Sequence, residues 1–189
     1  MPIPRLRADE TSLLVIDLQE RLMPTIHDAD RTVLHASLLV ELAARLEIPV
    51  LVTEQYVRGL GPTVPAVQSA LDRAGCLKVE KTRFSGCVPE VLEALRASGR
   101  GHVLVCGIEA PVCVLQTTLD LIAHGFVPWL VTDAISGSEP AQIPVAIRRM
   151  EAAGAIATGL MSALYELLGD ASNPAFRGCL ELAKRVDRR

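Results

Sequence analysis

Three side chains of complementary chemistry stand at or just beyond the ends of short apolar runs. Asp17 follows Leu13-Leu14-Val15-Ile16, Lys81 closes Leu77-Lys78-Val79-Glu80, and Cys113 lies shortly after Val103-Leu104-Val105-Cys106. A carboxylate can take a proton from a thiol, an ammonium can orient that carboxylate and hold an anionic substrate, and a thiolate can attack a carbonyl carbon. Each residue also has a plainer reading. Asp17 can cap a loop, Lys81 can be a solvated charge at a strand end, and free cysteine is among the most buried residue types. Cys113 adds one feature. Pro111 opens and Gly125 closes a segment of helical composition, so the thiol falls in its first turn. Backbone N–H groups and the positive end of the helix dipole favour a thiolate there. On these residues alone, nucleophile and core packing both stand.

The elements that must position these groups follow from periodicity. Continuous apolar runs at 12–17, 50–53, 103–106 and 127–132 are the pattern of parallel strands buried on both faces. The run 77–81 is more polar and belongs nearer an edge, and 155–157 is a further short apolar run. Residues 30–48 have helical spacing, with Leu38, Leu39, Leu42 and Leu46 on one stripe and Glu41 and Arg45 off it. Further helices are expected at 64–74, 89–97, 111–125, 140–153, 160–168 and 173–189. Residues 54–65, rich in Gly and Pro, read as a long loop, with 82–87 and 133–139 as shorter ones. Strand–helix alternation of this kind calls for an open α/β sheet with helices on both faces. One domain over 1–189 is expected, with a polar leader at 1–10 and a terminal helix and tail at 174–189. Ligands of such sheets bind beyond the carboxyl ends of the strands, at the point where strand order reverses. Asp17, Lys81 and the turn before Cys113 would share that edge.

Composition narrows the function. In 189 residues, 50% hydrophobic and only 3% aromatic, the core must come from Leu, Val, Ile and Ala. A net charge of −3 lacks the basic footprint of a nucleic-acid binder. No apolar run approaches the roughly 18 residues of a membrane span, and Pro2, Pro4, Arg5, Arg7, Asp9 and Glu10 interrupt any secretory pattern. Five cysteines without a C-x-x-C pair suit reduced thiols in the cytoplasm; Cys76, Cys87, Cys106 and Cys179 read as structural. His27, His35, His102 and His124 form no ligand-spaced cluster, and no G-x-G-x-x-G follows a strand, so neither a metal nor a dinucleotide cofactor is expected.

Three blocks carry a resemblance: Leu14-Val15-Ile16-Asp17-Leu18-Gln19, Glu80-Lys81-Thr82-Arg83-Phe84-Ser85, and Cys106-Gly107-Ile108-Glu109-Ala110-Pro111-Val112-Cys113-Val114. In order, spacing and identity they resemble the signature blocks of the isochorismatase-like cysteine hydrolases. The likeness continues through Thr132-Asp133-Ala134 to Leu167-Leu168-Gly169-Asp170. Thr53-Glu54-Gln55-Tyr56 and Gly59-Leu60-Gly61 further resemble the isochorismatase domain-containing subgroup. The resemblance implies a Rossmann-like sheet of six parallel strands and a triad of Asp17, Lys81 and Cys113. It also implies a cis peptide between Ile108 and Glu109, and an oxyanion hole from the backbone N–H groups of Glu109 and Cys113. Nicotinamidases of the family bind a metal through an Asp-x-His pair after strand two, where this chain has Thr53-Glu54-Gln55-Tyr56. Isochorismatases proper lack the cysteine, which Cys113 supplies here.

The expected activity is therefore metal-independent hydrolysis of a small amide or carbamoyl C–N bond through a thioester on Cys113. The competing expectation is a non-hydrolytic, thiol-responsive or small-molecule-binding protein on the same fold. Gln19, Gln55, Tyr56 and Phe84 flank the motifs and are candidate pocket residues, while Arg83 is read as a surface residue. The expected partner is a small carbonyl compound, with no nucleic acid or membrane, and the family's habit implies a homo-oligomer.

Overall fold

The strands are β1 (Thr11–Ile16), β2 (Val50–Gln55), β3 (Cys76–Lys81), β4 (His102–Gly107), β5 (Val127–Ile135) and β6 (Ile156–Thr158). In the computed structural model, which describes residues 3–186, they form one open sheet in the order β3-β2-β1-β4-β5-β6. Every pairing is parallel. The helices are α1 (Ala29–Arg45), α2 (Val57–Leu60), α3 (Pro65–Ala74), α4 (Pro89–Ala97), α5 (Leu115–Ala123), α6 (Gln142–Ala152), α7 (Leu160–Leu168) and α8 (Phe176–Val186). Burial explains the central position of β1: all six of its residues are inaccessible. The Lys and Glu side chains of β3 are tolerated because it has one neighbour only, as its mixed composition predicted.

Two apolar layers flank the sheet. Leu38, Leu39 and Leu42 of α1 pack with Leu164 of α7 and Leu182 of α8 on one face. Val91 and Leu95 of α4, Leu121 of α5 and Met150 of α6 pack on the other. The order of the sheet reverses between β1 and β4, so the crevice expected to bind ligand opens beside Asp17 and Gly107.

Several boundaries differ from the sequence expectation. The segment 54–65 is not all loop: β2 continues to Gln55, and α2 forms a single turn inside it. Strand β5 absorbs Asp133, because its carboxylate has partners there. Oδ1 accepts the Leu160 N–H at 2.9 Å, capping α7, and Oδ2 faces His35 Nδ1 at 3.4 Å. The 111–125 helix divides into a π-helical turn, Ala110–Val114, and then α5. At the front, Leu6 is buried and Arg100 donates to the carbonyls of Ala8 and Thr11 at 2.6 and 2.9 Å, so the leader joins the domain from Leu6 onward. Residues 1–2 of the leader and 187–189 of the tail lie outside the described residues.

Candidate active site

Gly107 sets the geometry of the site. Its φ is +122°, and a Cβ there would lie 2.1 Å from the Ile16 carbonyl oxygen. Only glycine lets the end of β4 approach β1 this closely, and the Ile108 N–H then donates to that same oxygen at 3.0 Å. Asp17, itself at φ 52°, comes directly after β1. The chain therefore leaves β4 alongside the carboxylate. The following peptide, Ile108–Glu109, is cis. In the π turn the Val112 and Val114 N–H groups donate to the Glu109 carbonyl at 3.0 and 3.1 Å, and the Ala110 N–H donates to the Ser136 carbonyl at 2.7 Å. None of these bonds uses the N–H of Glu109 or of Cys113.

Asp17 and Lys81 form an ion pair of 2.6 Å with both side chains wholly buried. Lys81 Nζ also donates to Gln55 Oε1 at 2.7 Å and the Phe84 carbonyl at 3.1 Å, with the Arg83 carbonyl at 3.4 Å. Three N–H donors facing four acceptors leave this ammonium no capacity for a ligand. Of the two things an ammonium could do here, orient the carboxylate or hold an anionic substrate, the contacts of Lys81 fit the first. The other carboxylate oxygen, Oδ1, accepts the Thr53 hydroxyl at 2.7 Å. Thr53 is paired with Ile16 across β1 and β2, which delivers its hydroxyl to the residue after Ile16.

Cys113 is buried, and its thiol is pushed up to about 12, first by burial and then by the charge of Asp17, with Lys81 pulling the other way. The sequence had placed the thiol in the first turn of a helix whose dipole would favour a thiolate. Burial within the π turn acts against that, pushing the thiol up where the helix start would pull it down. Both members of the ion pair act on its ionisation, so the three sequence-predicted groups converge. Behind Cys113, its carbonyl accepts the Thr117 hydroxyl at 2.6 Å, and the Gly86 N–H donates to that hydroxyl at 2.7 Å. This ties the loop after β3 to the turn that carries the sulfur.

A cleft of about 130 Å³ opens onto Asp17 and Cys113. Leu22, Leu60, Phe84, Ile108 and Val112 give it apolar walls, and Gln55 and Glu109 complete them. Of the four pocket candidates, Gln55 and Phe84 line it. Gln19 does not: its side chain bonds the N–H and C=O of Gln55 at 2.7 and 2.9 Å and the carbonyl of Gly61 at 2.7 Å, holding the segment that carries Leu60. Tyr56 is half exposed and also outside the lining. Sequence reasoning missed Thr53, Thr117, Leu22 and Leu60. The first two reach the site only through strand register and a helical turn, Leu60 through the single turn α2, and Leu22 through the segment after β1.

No group of three or more His, Cys, Asp or Glu among the described residues is arranged to hold a metal ion. Glu54, in β2, accepts the N–H and hydroxyl of Thr63 and the Lys78 ammonium. No described helix is long and apolar enough to cross a membrane.

Residues 11–161 match the model of the isochorismatase domain. The chain belongs to the isochorismatase family. Isochorismatase domain-containing protein 2A of Mus musculus is 37% identical over 95% of this isochorismatase-family chain and 85% of its own. The secreted isochorismatase effector Isc1 of Phytophthora sojae is 38% identical over 95% of this chain and 87% of its own. Among solved structures, the MAR1 ribonuclease of Caenorhabditis elegans superposes with a TM-score of 0.91 at 36% identity, covering 95% of this chain and 92% of that one. The family, the domain-containing subgroup and the open Rossmann-like sheet all agree with the expectation from the three blocks.

Proposed function

We propose that this family member is a metal-independent cysteine hydrolase that cleaves a small amide or carbamoyl C–N bond through a thioester on Cys113. The observation that carries the reading is the buried Lys81–Asp17 ion pair of 2.6 Å beside a buried thiol in a small, mostly apolar cleft.

In the proposed reaction the Cys113 sulfur attacks the substrate carbonyl carbon as its proton passes to Asp17. A thiol with its pKa near 12 makes that coupling necessary, because free thiolate is scarce at neutral pH. The oxyanion is received by the N–H groups of Glu109 and Cys113, donors of the kind worth several kcal/mol in a transition state. The intermediate collapses as the C–N bond breaks, and Asp17 returns the proton to the leaving nitrogen. Water, deprotonated by Asp17, then attacks the thioester and restores the thiol. Lys81 and Thr53 hold the carboxylate in line throughout.

A thiol-responsive sensor is the competing function, but such proteins rely on acidic cysteines, whereas burial and the Asp17 charge raise the Cys113 thiol. The C. elegans relative is called a ribonuclease; for this chain, a net charge of −3 and a narrow cleft favour a small neutral carbonyl compound over a polyanion. The test is a panel of amides, carbamoyl compounds, ureido acids and single-stranded RNA, offered to wild type and Cys113→Ala. Ammonia or amine release that depends on Cys113 supports the reading. Cys113-independent turnover, RNA cleavage alone, or sulfenate formation without acyl transfer overturns it. We further propose a homo-oligomeric state, since Leu77, Val145 and Tyr165 are left exposed on one chain; light scattering at 20.3 kDa, the mass of one chain, contradicts it.

A further inference from the structure

We propose that the cleft selects neutral or N–H-donating amides against anionic ones, and that Glu109 is the residue that sets this selectivity. The inference rests on Cys113 being the nucleophile of the reading above and adds the charge class of its substrate.

A substrate entering the cleft meets few free polar groups. Five of the lining side chains are apolar. Asp17 is satisfied at both oxygens, by Thr53 and Lys81. Gln55 is committed at both ends of its amide: Oε1 accepts from Lys81 and Nε2 donates to the Thr82 carbonyl at 2.7 Å. Lys81 is saturated. The nearest other cation in the sequence blocks, Arg83, is exposed, pairs with Asp120 at 3.3 Å and does not line the cleft. Among the described residues, then, no free cation faces the substrate.

Glu109 is different. Its Oε2 accepts both the N–H and the hydroxyl of Ser138, at 2.9 and 2.7 Å, which fixes the carboxylate. No described donor bonds its Oε1, so an acceptor remains on a residue that lines the cleft. With Asp17 balanced by Lys81, the Glu109 charge is unbalanced. A substrate carboxylate held near it meets like-charge repulsion at partly buried range, on the order of ten- to a hundredfold in binding or rate. On this proposal a substrate N–H is met by the Oε1 that Ser138 leaves free. A carboxylate-bearing ureido acid is thus a poor fit, and a primary amide with a short apolar acyl group is a good one.

The experiment compares two thiol reagents of nearly equal size, iodoacetamide and iodoacetate, on the intact protein. Labelling of Cys113 is followed by peptide mass spectrometry, with Cys113→Ala as the site control and N-acetylcysteinamide as the free-thiol reference. The ratio of the iodoacetamide rate to the iodoacetate rate is expected to be at least tenfold higher for Cys113 than for the reference thiol. Glu109→Gln keeps an acceptor for Ser138 but removes the charge, and is expected to bring that ratio to within about threefold of the reference. A wild-type ratio at or below the reference, or one that Glu109→Gln leaves unchanged, overturns the proposal. If neither reagent labels Cys113, the nucleophile reading falls, and selectivity is read from ligand-observed NMR with butyramide and succinamate. Tighter binding of succinamate overturns the charge selectivity independently.

Discussion

Replacing Asp17 with asparagine separates the acidity of the thiol from turnover, because the structure predicts opposite effects on the two. The substitution is nearly isosteric. The amide oxygen can face Lys81 while the amide nitrogen donates to the Thr53 hydroxyl, so both contacts to the position persist. Burial and the Asp17 charge both raise the Cys113 thiol, and Lys81 opposes them. Asp17→Asn removes the carboxylate's influence and leaves that of Lys81, so the thiol becomes more acidic and iodoacetamide labels it faster at fixed pH. Turnover has lost its general base and falls by about 10² to 10⁴. Stability falls as well, since Lys81 is left buried without its counter-ion, a loss of about 3–5 kcal/mol for a broken buried pair. In a chain of this size that lowers Tm on the order of 10 °C. Labelling, amide hydrolysis and thermal melting on one preparation read all three quantities. Hydrolysis within tenfold of wild type refutes the base assignment. Slower labelling in a folded variant refutes the electrostatic account of the thiol.

Thr53→Val keeps the shape of the buried β2 side chain but removes the donor to Asp17 Oδ1. A hydrogen bond to a charged group is worth about 1.5–3 kcal/mol, so turnover should drop roughly ten- to a hundredfold, and unchanged kcat would deny Thr53 a positioning role. Gly107→Ala forces a Cβ against the Ile16 carbonyl at a positive φ; urea titration should show at least about 3 kcal/mol of lost stability, and wild-type stability would contradict the close approach. Stability should also fall in alkali. Cys87, Cys106 and Cys113 are each pushed from 9.0 to about 12, mainly by burial. Thiols whose folded pKa lies above the unfolded value stabilise the fold fully below pH 9, and that contribution drains away as pH rises toward 12. The slope is about 1.4 kcal/mol per pH unit for each thiol, and melting curves from about pH 7 to 11 that show no decline above pH 9 would contradict it.

The sheet and the chemical residues were legible for the same reason. A strand buried on both faces must be continuously apolar, so the acid that ends β1 and the glycine that ends β4 stand out in the sequence. Lys81 was visible as the end of a more polar strand, and the edge position of that strand followed from its polarity. What could not be read was how those groups are occupied. The saturation of Lys81 depends on the carbonyls of Arg83 and Phe84, and backbone acceptors have no sequence signature. Thr53 reaches Asp17 through the register of β1 on β2, which local patterning does not encode. The π turn has the same composition as the helical turn it replaces, so the thiol was expected at a helix start and in an acidic state. Gln19 stood beside a motif and was read as a pocket residue, whereas it holds the segment that supplies a pocket residue, Leu60.

The central claim is a covalent thioester on Cys113. Wild type mixed with a hydrolysed amide, acid-quenched during turnover and weighed intact, should carry the mass of the acyl group. Peptide mapping should place that mass on Cys113, and Cys113→Ala should carry none. Full turnover with no adduct at any quench time, or an adduct that persists in Cys113→Ala, would contradict the account.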